Sequence, residues 1–229
     1  MTDPGPVAGP VPEPPDAARH LFGDHLPAAV AYAGALAGDG VRHGHLGPRE
    51  VPRLWSRHLV NCALLTDLVP EGAHVLDVGS GAGLPGVPMA VRRPDLRVTL
   101  LEPMLRRSAF LVETVERIGL ADRVRVVRGR ADDPTVVAEL AGQEWVVARA
   151  VAPMDRLVTW CVPLLAPRGR LLALKGRSAA DEVREHRNEI VRIGGGSATV
   201  TELGTTTSEP TWVVSVQRRR PPSRGRKRR

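Results

Sequence analysis

The residues best suited to chemistry stand in the run Val75-Leu76-Asp77-Val78-Gly79-Ser80-Gly81-Ala82-Gly83-Leu84-Pro85-Gly86. There an apolar stretch ending near a carboxylate meets three alternating glycines. Glycine lets the main chain turn through positive φ and lets a ligand approach the backbone closely, so the loop is a candidate cofactor cradle. Two cofactor chemistries compete for it. Gly81-x-Gly83-x-x-Gly86 matches the dinucleotide fingerprint, in which glycines serve a pyrophosphate. That fingerprint begins directly at a strand end, whereas Gly79-Ser80 intervenes here, and the Asp77 carboxylate would repel a pyrophosphate. A cationic ligand would be attracted to it instead. Glu102, ending the next apolar run, suits ribose hydroxyls in either case.

Other reactive side chains are sparse. Cys62 and Cys161 are two cysteines without a Cys-x-x-Cys pair, which fits a reducing compartment and excludes a disulfide framework. Cys161 lies beside Trp160 and Val162 in a helical stretch, the setting of a buried thiol. His58-x-x-x-Cys62 and His43-x-His45 make no four-ligand set, so no metal is expected.

The elements that position the loop follow from periodicity. Apolar runs at His74–Val78, Arg97–Leu101, Val124–Val127, Trp145–Ala148, Arg170–Leu174, Ala198–Leu203 and Trp212–Val216 predict strands. Helical spacing over Leu84–Arg93, Pro103–Ile118, Met154–Leu165 and Ala179–Val191 alternates with them. This predicts an α/β fold, a parallel sheet covered on both faces, with the last two strands joined by a short loop that brings in an antiparallel strand. In such a sheet ligands bind at the carboxyl ends of central strands, where the glycine loop lies. Asp16–Ala37 and Pro48–Val69 read as N-terminal helices, and Trp145, Trp160 and Trp212 read as core.

The 229 residues make one domain with attachments, and the 42% hydrophobic content supports a sizeable core. The expected plan is a proline-rich, unstructured leader over 1–15, a helical segment over 16–72, the α/β core over 73–217 and a basic tail over 218–229. The tail holds eight basic groups and no acid, leaving 24 basic against 25 acidic residues elsewhere. The body is therefore near neutral, which excludes a histone-like basic globule. The tail is expected to bind phosphates without choosing sequence. Arg123, Arg125, Arg128 and Arg130 alternate along a strand and read equally as a phosphate face or a solvated sheet edge. Leu26–Ala37 is too short for a membrane span, lacks a preceding basic cluster and reads as an Ala-rich buried helix. A soluble, cytoplasmic monomer is expected.

Asp77-x-Gly79-x-Gly81-x-Gly83 resembles the first motif of S-adenosylmethionine-dependent methyltransferases, whose ligand is a sulfonium bearing an amino group. More specifically, the run DVGSGAGLPGVPMA resembles the bacterial RsmG family, also called GidB. So do RHLVNCALL before it and LLEPMLRRSAFL, RGRAD, VVARAVAPMDRLVTWC and LLALKG after it. The resemblance covers roughly residues 20–217. It implies a class I, Rossmann-like, seven-stranded, mostly parallel sheet preceded by helices. The implied activity is methylation of guanine N7 in small-subunit (16S) ribosomal RNA, with the RNA or the 30S particle as partner.

By motif position, the resemblance places Gly79, Ser80, Gly81 and Leu84 along the methionine and ribose of the cofactor, and Asp77 is a further cofactor-binding candidate whose carboxylate would attract the cationic ligand. It gives Glu102 the ribose, Ala131 the adenine through its backbone, and Asp132 the adenine amine. Arg149 falls between cofactor and target base as a positioning group. Arg57 and His58 approach from the N-terminal helices; Lys175, Arg106 and Arg107 are candidates for RNA contact. Two features depart from the family pattern: GDGVRHGHLGPRE stands where a W-N-x-x-x-N-L-T stretch is usual, and Asn61 replaces an acid. After the fourth strand the chain reads Arg149-Ala150-Val151-Ala152-Pro153, without the Asn/Asp-Pro-Pro-aromatic tetrad that serves exocyclic amines. Guanine N7 has a lone pair and no proton to shed, so the absence is consistent with it. A nicotinamide-dependent oxidoreductase and a non-catalytic adenine-nucleotide or RNA-binding module are the alternatives.

Overall fold

The computed structural model describes residues 10–149, 152–204 and 209–220. Seven strands form one sheet: β1 (His74–Val78), β2 (Arg97–Glu102), β3 (Val124–Arg128), β4 (Gln143–Arg149), β5 (Leu165–Lys175), β6 (Gly195–Leu203) and β7 (Thr211–Arg218). Their order is β3-β2-β1-β4-β5-β7-β6, and only β7 runs antiparallel to its neighbours. The central strands are continuous apolar runs because both faces are covered. Alternation along β1 separates the faces: Val75 packs with the N-terminal helices, Leu76 and Val78 with the opposite layer.

On the first face lie α1 (Asp16–Phe22), α2 (Leu26–Ala35), α3 (Val60–Leu64), α4 (Gly86–Arg92) and α5 (Leu105–Arg117). The other layer is built from α6 (Pro134–Leu140), α7 (Met154–Cys161), α8 (Ala179–Glu185) and α9 (Arg187–Arg192). The sheet order turns between β1 and β4: the chain winds outward through β2 and β3, then crosses back. The carboxyl ends of β1 and β4 therefore face a crevice.

Several boundaries differ from expectation. The two N-terminal helices are segmented: a π-helical stretch follows α2 at Leu36–Gly40, and a second, Leu54–Leu59, leads into α3. Helix α6 was not expected, although Asp133 caps it by accepting from Thr135 N at 2.8 Å and Pro134 opens it. The stretch 179–191 divides at His186 into α8 and α9. Residues 10–15 do not hang free: Trp55 Nε1 donates to the Pro12 carbonyl at 2.8 Å. Arg218, assigned to the tail, ends β7 and donates to the carbonyls of Pro163 and Leu165. The rest of the tail beyond Arg220 lies outside the described residues. Among the described residues, no helix is long and apolar enough to cross a membrane.

Candidate cofactor and substrate site

The glycine loop divides into two functional pairs. Gly79 and Gly81 have φ of +71° and +59°, and a Cβ on Gly81 would meet nothing closer than the Gly79 carbonyl at 3.9 Å. This part of the loop is open to the crevice. Gly83 and Gly86 are packed instead. A Cβ on Gly83 would lie 2.7 Å from Val87 Cγ2, and one on Gly86 would press on Leu100 and lie 2.8 Å from Asp77 Oδ2. Neighbouring β2 holds the loop, since the Leu101 carbonyl accepts from Gly79 N at 2.8 Å and Ser80 N at 3.1 Å. The buried Glu102 carboxylate accepts from Gly81 N at 2.8 Å and Met104 N at 2.9 Å. From above, the buried Tyr32 hydroxyl of α2 donates to the Ala82 carbonyl at 2.8 Å.

Asp77 does not line the crevice. Its carboxylate is fully buried beneath the loop, and Oδ2 accepts from Gly86 N at 3.0 Å, at the start of α4. Its position two residues from Val75 puts it on the N-terminal-helix face, which explains the direction it takes. Oδ1 has no hydrogen-bond partner among the described residues, and burial pushes the carboxyl up to about 7. This geometry bears on the dinucleotide reading. The helix-start N–H that would serve a pyrophosphate is already taken by a protein carboxylate. Asp77 thus shapes the loop from below.

Two adjoining hollows fit an adenosylated ligand. The first is lined by Val78, Gly79, Leu101, Ala131, Asp132 and Trp160. It is an apolar slot at the ends of β1 and β2, suited to a purine. Trp160, expected in the core, lines this slot, with the Arg156 guanidinium over its ring at 5.1 Å from the centroid. Asp132 is held by Arg130 through two bonds of 2.9 and 2.8 Å, which keep its carboxyl below the usual range. The second hollow is lined by Gly79, Ser80, Gly81, Leu84, Glu102 and Arg149, with His45, His58 and Arg107 on its walls. Glu102 keeps lone pairs for ribose hydroxyls after its two backbone bonds. The open Gly79–Gly81 backbone lies next to it, so the residues fit the cofactor.

Arg149 ends β4 and is clamped from the N-terminal layer. Its guanidinium donates to His58 Nδ1 at 2.5 Å and to Cys62 Sγ at 3.1 Å. Guanidinium has no acceptor, so Nδ1 must carry the lone pair and Nε2 the proton. Nε2 meets Glu50 Oε2 at 2.7 Å, completing a Glu50–His58–Arg149 chain. Burial first, and the Arg149 charge second, lower His58 to about 4, so the ring is neutral at physiological pH. Glu50 and Cys62 were not singled out as positioning groups. The Glu50–His58 separation of eight residues spans a turn whose shape periodicity does not reveal.

The substrate candidates separate. Arg57 lies at the rim, 3.6 Å from Glu50, and Arg107 lines the cofactor hollow, while Arg106 points to solvent outside it. Lys175 is not a free phosphate ligand. It is mostly buried, donating to the Ala152 carbonyl at 3.0 Å and to Glu182 Oε2 at 2.8 Å. Arg123 is turned inward onto the Ala90 carbonyl at 2.6 Å, and Arg125 pairs with Glu139 on the β3 edge. The strand of alternating arginines is thus largely structural. Asn61 Nδ2 donates to the Glu209 carbonyl at 3.1 Å, tying α3 to the approach of β7.

This sheet, with its antiparallel seventh strand and a cofactor loop after β1, defines a class I methyltransferase fold. Solved structures agree on the fold: the S-adenosylmethionine-dependent methyltransferase SibL matches with a TM-score of 0.59 at 22% identity, covering 90% of this chain and 76% of that one. A methyltransferase from Pyrococcus furiosus matches with a TM-score of 0.54 at 15% identity, covering 69% and 80%. The GidB model, described as rRNA small subunit methyltransferase G, matches residues 25–209, and the chain belongs to that family. Relatives carrying the name ribosomal RNA small subunit methyltransferase G include that of Salinispora arenicola, 57% identical over 95% of this chain and 92% of its own length. That of Rhodococcus jostii is 52% identical over 88% of each chain.

Proposed function

We propose that the protein transfers a methyl group from S-adenosylmethionine to N7 of a guanine in small-subunit ribosomal RNA. When bound, the cofactor supplies an electrophilic methyl group on a sulfonium. The chain's own contribution is placement and exclusion of water, since in-line displacement depends mainly on near-attack geometry. Gly79 and Gly81 open the backbone to the ligand, Glu102 anchors the sugar, and the Val78–Ala131–Trp160 slot takes the purine. Arg149, held rigid by His58 and Cys62, orients the incoming base through its O6 side.

The observation that carries the reading is the state of His58. Its Nδ1 lone pair is occupied by Arg149 and its Nε2–H by Glu50, so this imidazole cannot accept a proton from substrate. Guanine N7 demands no such acceptor, whereas an exocyclic amine would. The nicotinamide alternative is disfavoured by Asp77 on the Gly86 N–H. In this reading the enzyme is a metal-free monomer of the cytoplasm that takes the RNA or the 30S particle. Among the described residues, no cluster of three or more His, Cys, Asp or Glu side chains could hold a metal ion. The test is turnover on unmethylated small subunits, with mass spectrometry of the digested RNA. A new 7-methylguanosine is expected. Methyl transfer to another atom, or tighter binding of NAD than of S-adenosylhomocysteine, overturns the assignment.

A further inference from the structure

A second cleft opens on the far side of Arg149, which lines it as well as the cofactor hollow. Sheet register assembles its floor. Arg149 of β4 stands beside Leu174 of β5, and the next residue, Lys175, stands beside Trp212 of β7. Because β7 is antiparallel, its first residues reach the edge where β4 and β5 end. Two interstrand spacings, roughly 10 Å, separate the β4 and β7 backbones there.

The charges in this cleft are unequal in availability. Arg53 is engaged by Glu209 at 2.6 Å, Arg57 faces Glu50 at 3.6 Å, and Lys175 is neutralised by Glu182. Arg177 has no acidic partner among the described residues, and neither has Arg149. The Arg177 guanidinium stands over the Trp212 ring, 5.9 Å from its centroid, and the half-buried indole lines the cleft. An indole under a guanidinium that has no acidic partner, beside a second guanidinium without one, suits a ligand that is flat and aromatic at one end and anionic at the other, which would slide between ring and cation. A nucleotide is both, and single-stranded or extruded bases are bound on such platforms.

We infer that this cleft seats the target nucleotide of the RNA, extruded from its surroundings. Trp212 stacks on the base, Arg177 meets the adjoining phosphate, and Arg149 at the shared wall turns the base edge toward the cofactor. The inference rests on the reaction proposed above and adds the residues that bind its substrate.

Two readouts test it. In steady-state methylation of small-subunit RNA, W212L should raise KM about 5- to 150-fold, the range that loss of base–aromatic stacking gives. W212F, which keeps a stacking face, should rescue most of that loss. R177M should raise KM and flatten the salt dependence by about one phosphate contact. The affinity for S-adenosylhomocysteine should stay unchanged in all three, which separates loss of a substrate contact from a damaged fold. Separately, guanosine 5′-monophosphate should quench indole fluorescence in the wild type by a component that W212F lacks. A W212L KM within twofold of the wild type overturns the inference, as does quenching that is equal in wild type and W212F. Quenching by the nucleotide without methylation of small-subunit RNA would leave the cleft standing and remove the reaction.

Discussion

Replacing Asp77 by Asn should change the pH dependence of stability more than stability itself. Asp77 is fully buried, and its carboxyl stands at about 7 against an ordinary 3.8. Between those values the folded state holds a proton that the unfolded state has released, so stability falls as pH rises through that window and levels off above about 7. From pH 5 to pH 8.5 the linkage amounts to a loss of about 3 kcal/mol for this one group. Asn keeps an oxygen for the Gly86 N–H, now 3.0 Å from Oδ2, and cannot ionise. Its amide nitrogen falls where Oδ1 has no partner, the atom that carries the carboxyl proton in the wild type below about pH 7, so both proteins bury an unsatisfied donor at pH 5. D77N should therefore gain about 3 kcal/mol of stability relative to the wild type between pH 5 and pH 8.5. His58 acts in the opposite sense, losing stability as pH falls from 6.5 toward 4, but it is present in both proteins and cancels in the difference. Denaturant unfolding of both proteins at pH 5, 6, 7 and 8.5 measures this directly. Parallel stability curves would refute the buried, protonated Asp77.

The glycines of the loop should divide by measurement. G81D should abolish measurable S-adenosylhomocysteine binding in calorimetry while the fold survives, whereas G86A should destabilise by about 1–3 kcal/mol through overpacking against Leu100 and Asp77. E50A releases His58 Nε2 and so loosens Arg149. It should lower kcat about 10- to 100-fold, the range for a lost outer hydrogen bond, with cofactor affinity held within a few-fold. Removing residues 219–229 takes away seven basic groups and should flatten the log–log salt dependence of RNA binding by up to about 5; an unchanged slope would assign the arm no phosphate contact.

The strands were legible because each central run is apolar on both faces, and the cofactor loop because glycines at fixed offsets leave few other readings. Glu102, Gly79, Gly81 and Ala131, singled out by motif position, lie on the walls of two adjoining hollows at the carboxyl ends of the strands. What escaped was orientation. Asp77 and Val75 share a face by strand alternation, but only the position of α4 shows that this face leads under the loop. Trp160 and Trp212 are large and apolar enough to pass for core, yet each lies at the end of an element and lines a hollow there. Lys175 looked available because its partner Glu182 arrives from α8, seven residues on and across a turn. The departure at Asn61 has a local account, since its amide reaches the Glu209 carbonyl, but no acid-specific role follows from that contact.

The N-terminal helices are the larger lesson, because sequence segmentation treats them as an attachment. Among the described residues, 38 buried apolar side chains cluster on their face of the sheet, and 19 of these come from Ala18–Val69. This is half of one core layer, and it covers the same side of β1 on which Asp77 lies. The layer also delivers the polar contacts that set the site. Tyr32 fixes the loop through the Ala82 carbonyl, while His58 and Cys62 fix Arg149. The π-helical stretch Leu54–Leu59 presents His58 toward β4 while Leu54, Trp55 and Leu59 remain in the core, so the irregular turn satisfies packing and chemistry at once. A neutral imidazole, held as the Nε2–H tautomer by one carboxylate, is what allows an arginine to stand at the shared wall without an acidic partner of its own. In the proposed reaction, a carboxylate placed directly on that guanidinium would compete with the base edge that Arg149 is proposed to orient. Holding Arg149 through His58 and Cys62 fixes its orientation without neutralising its charge, as the proposed reaction requires.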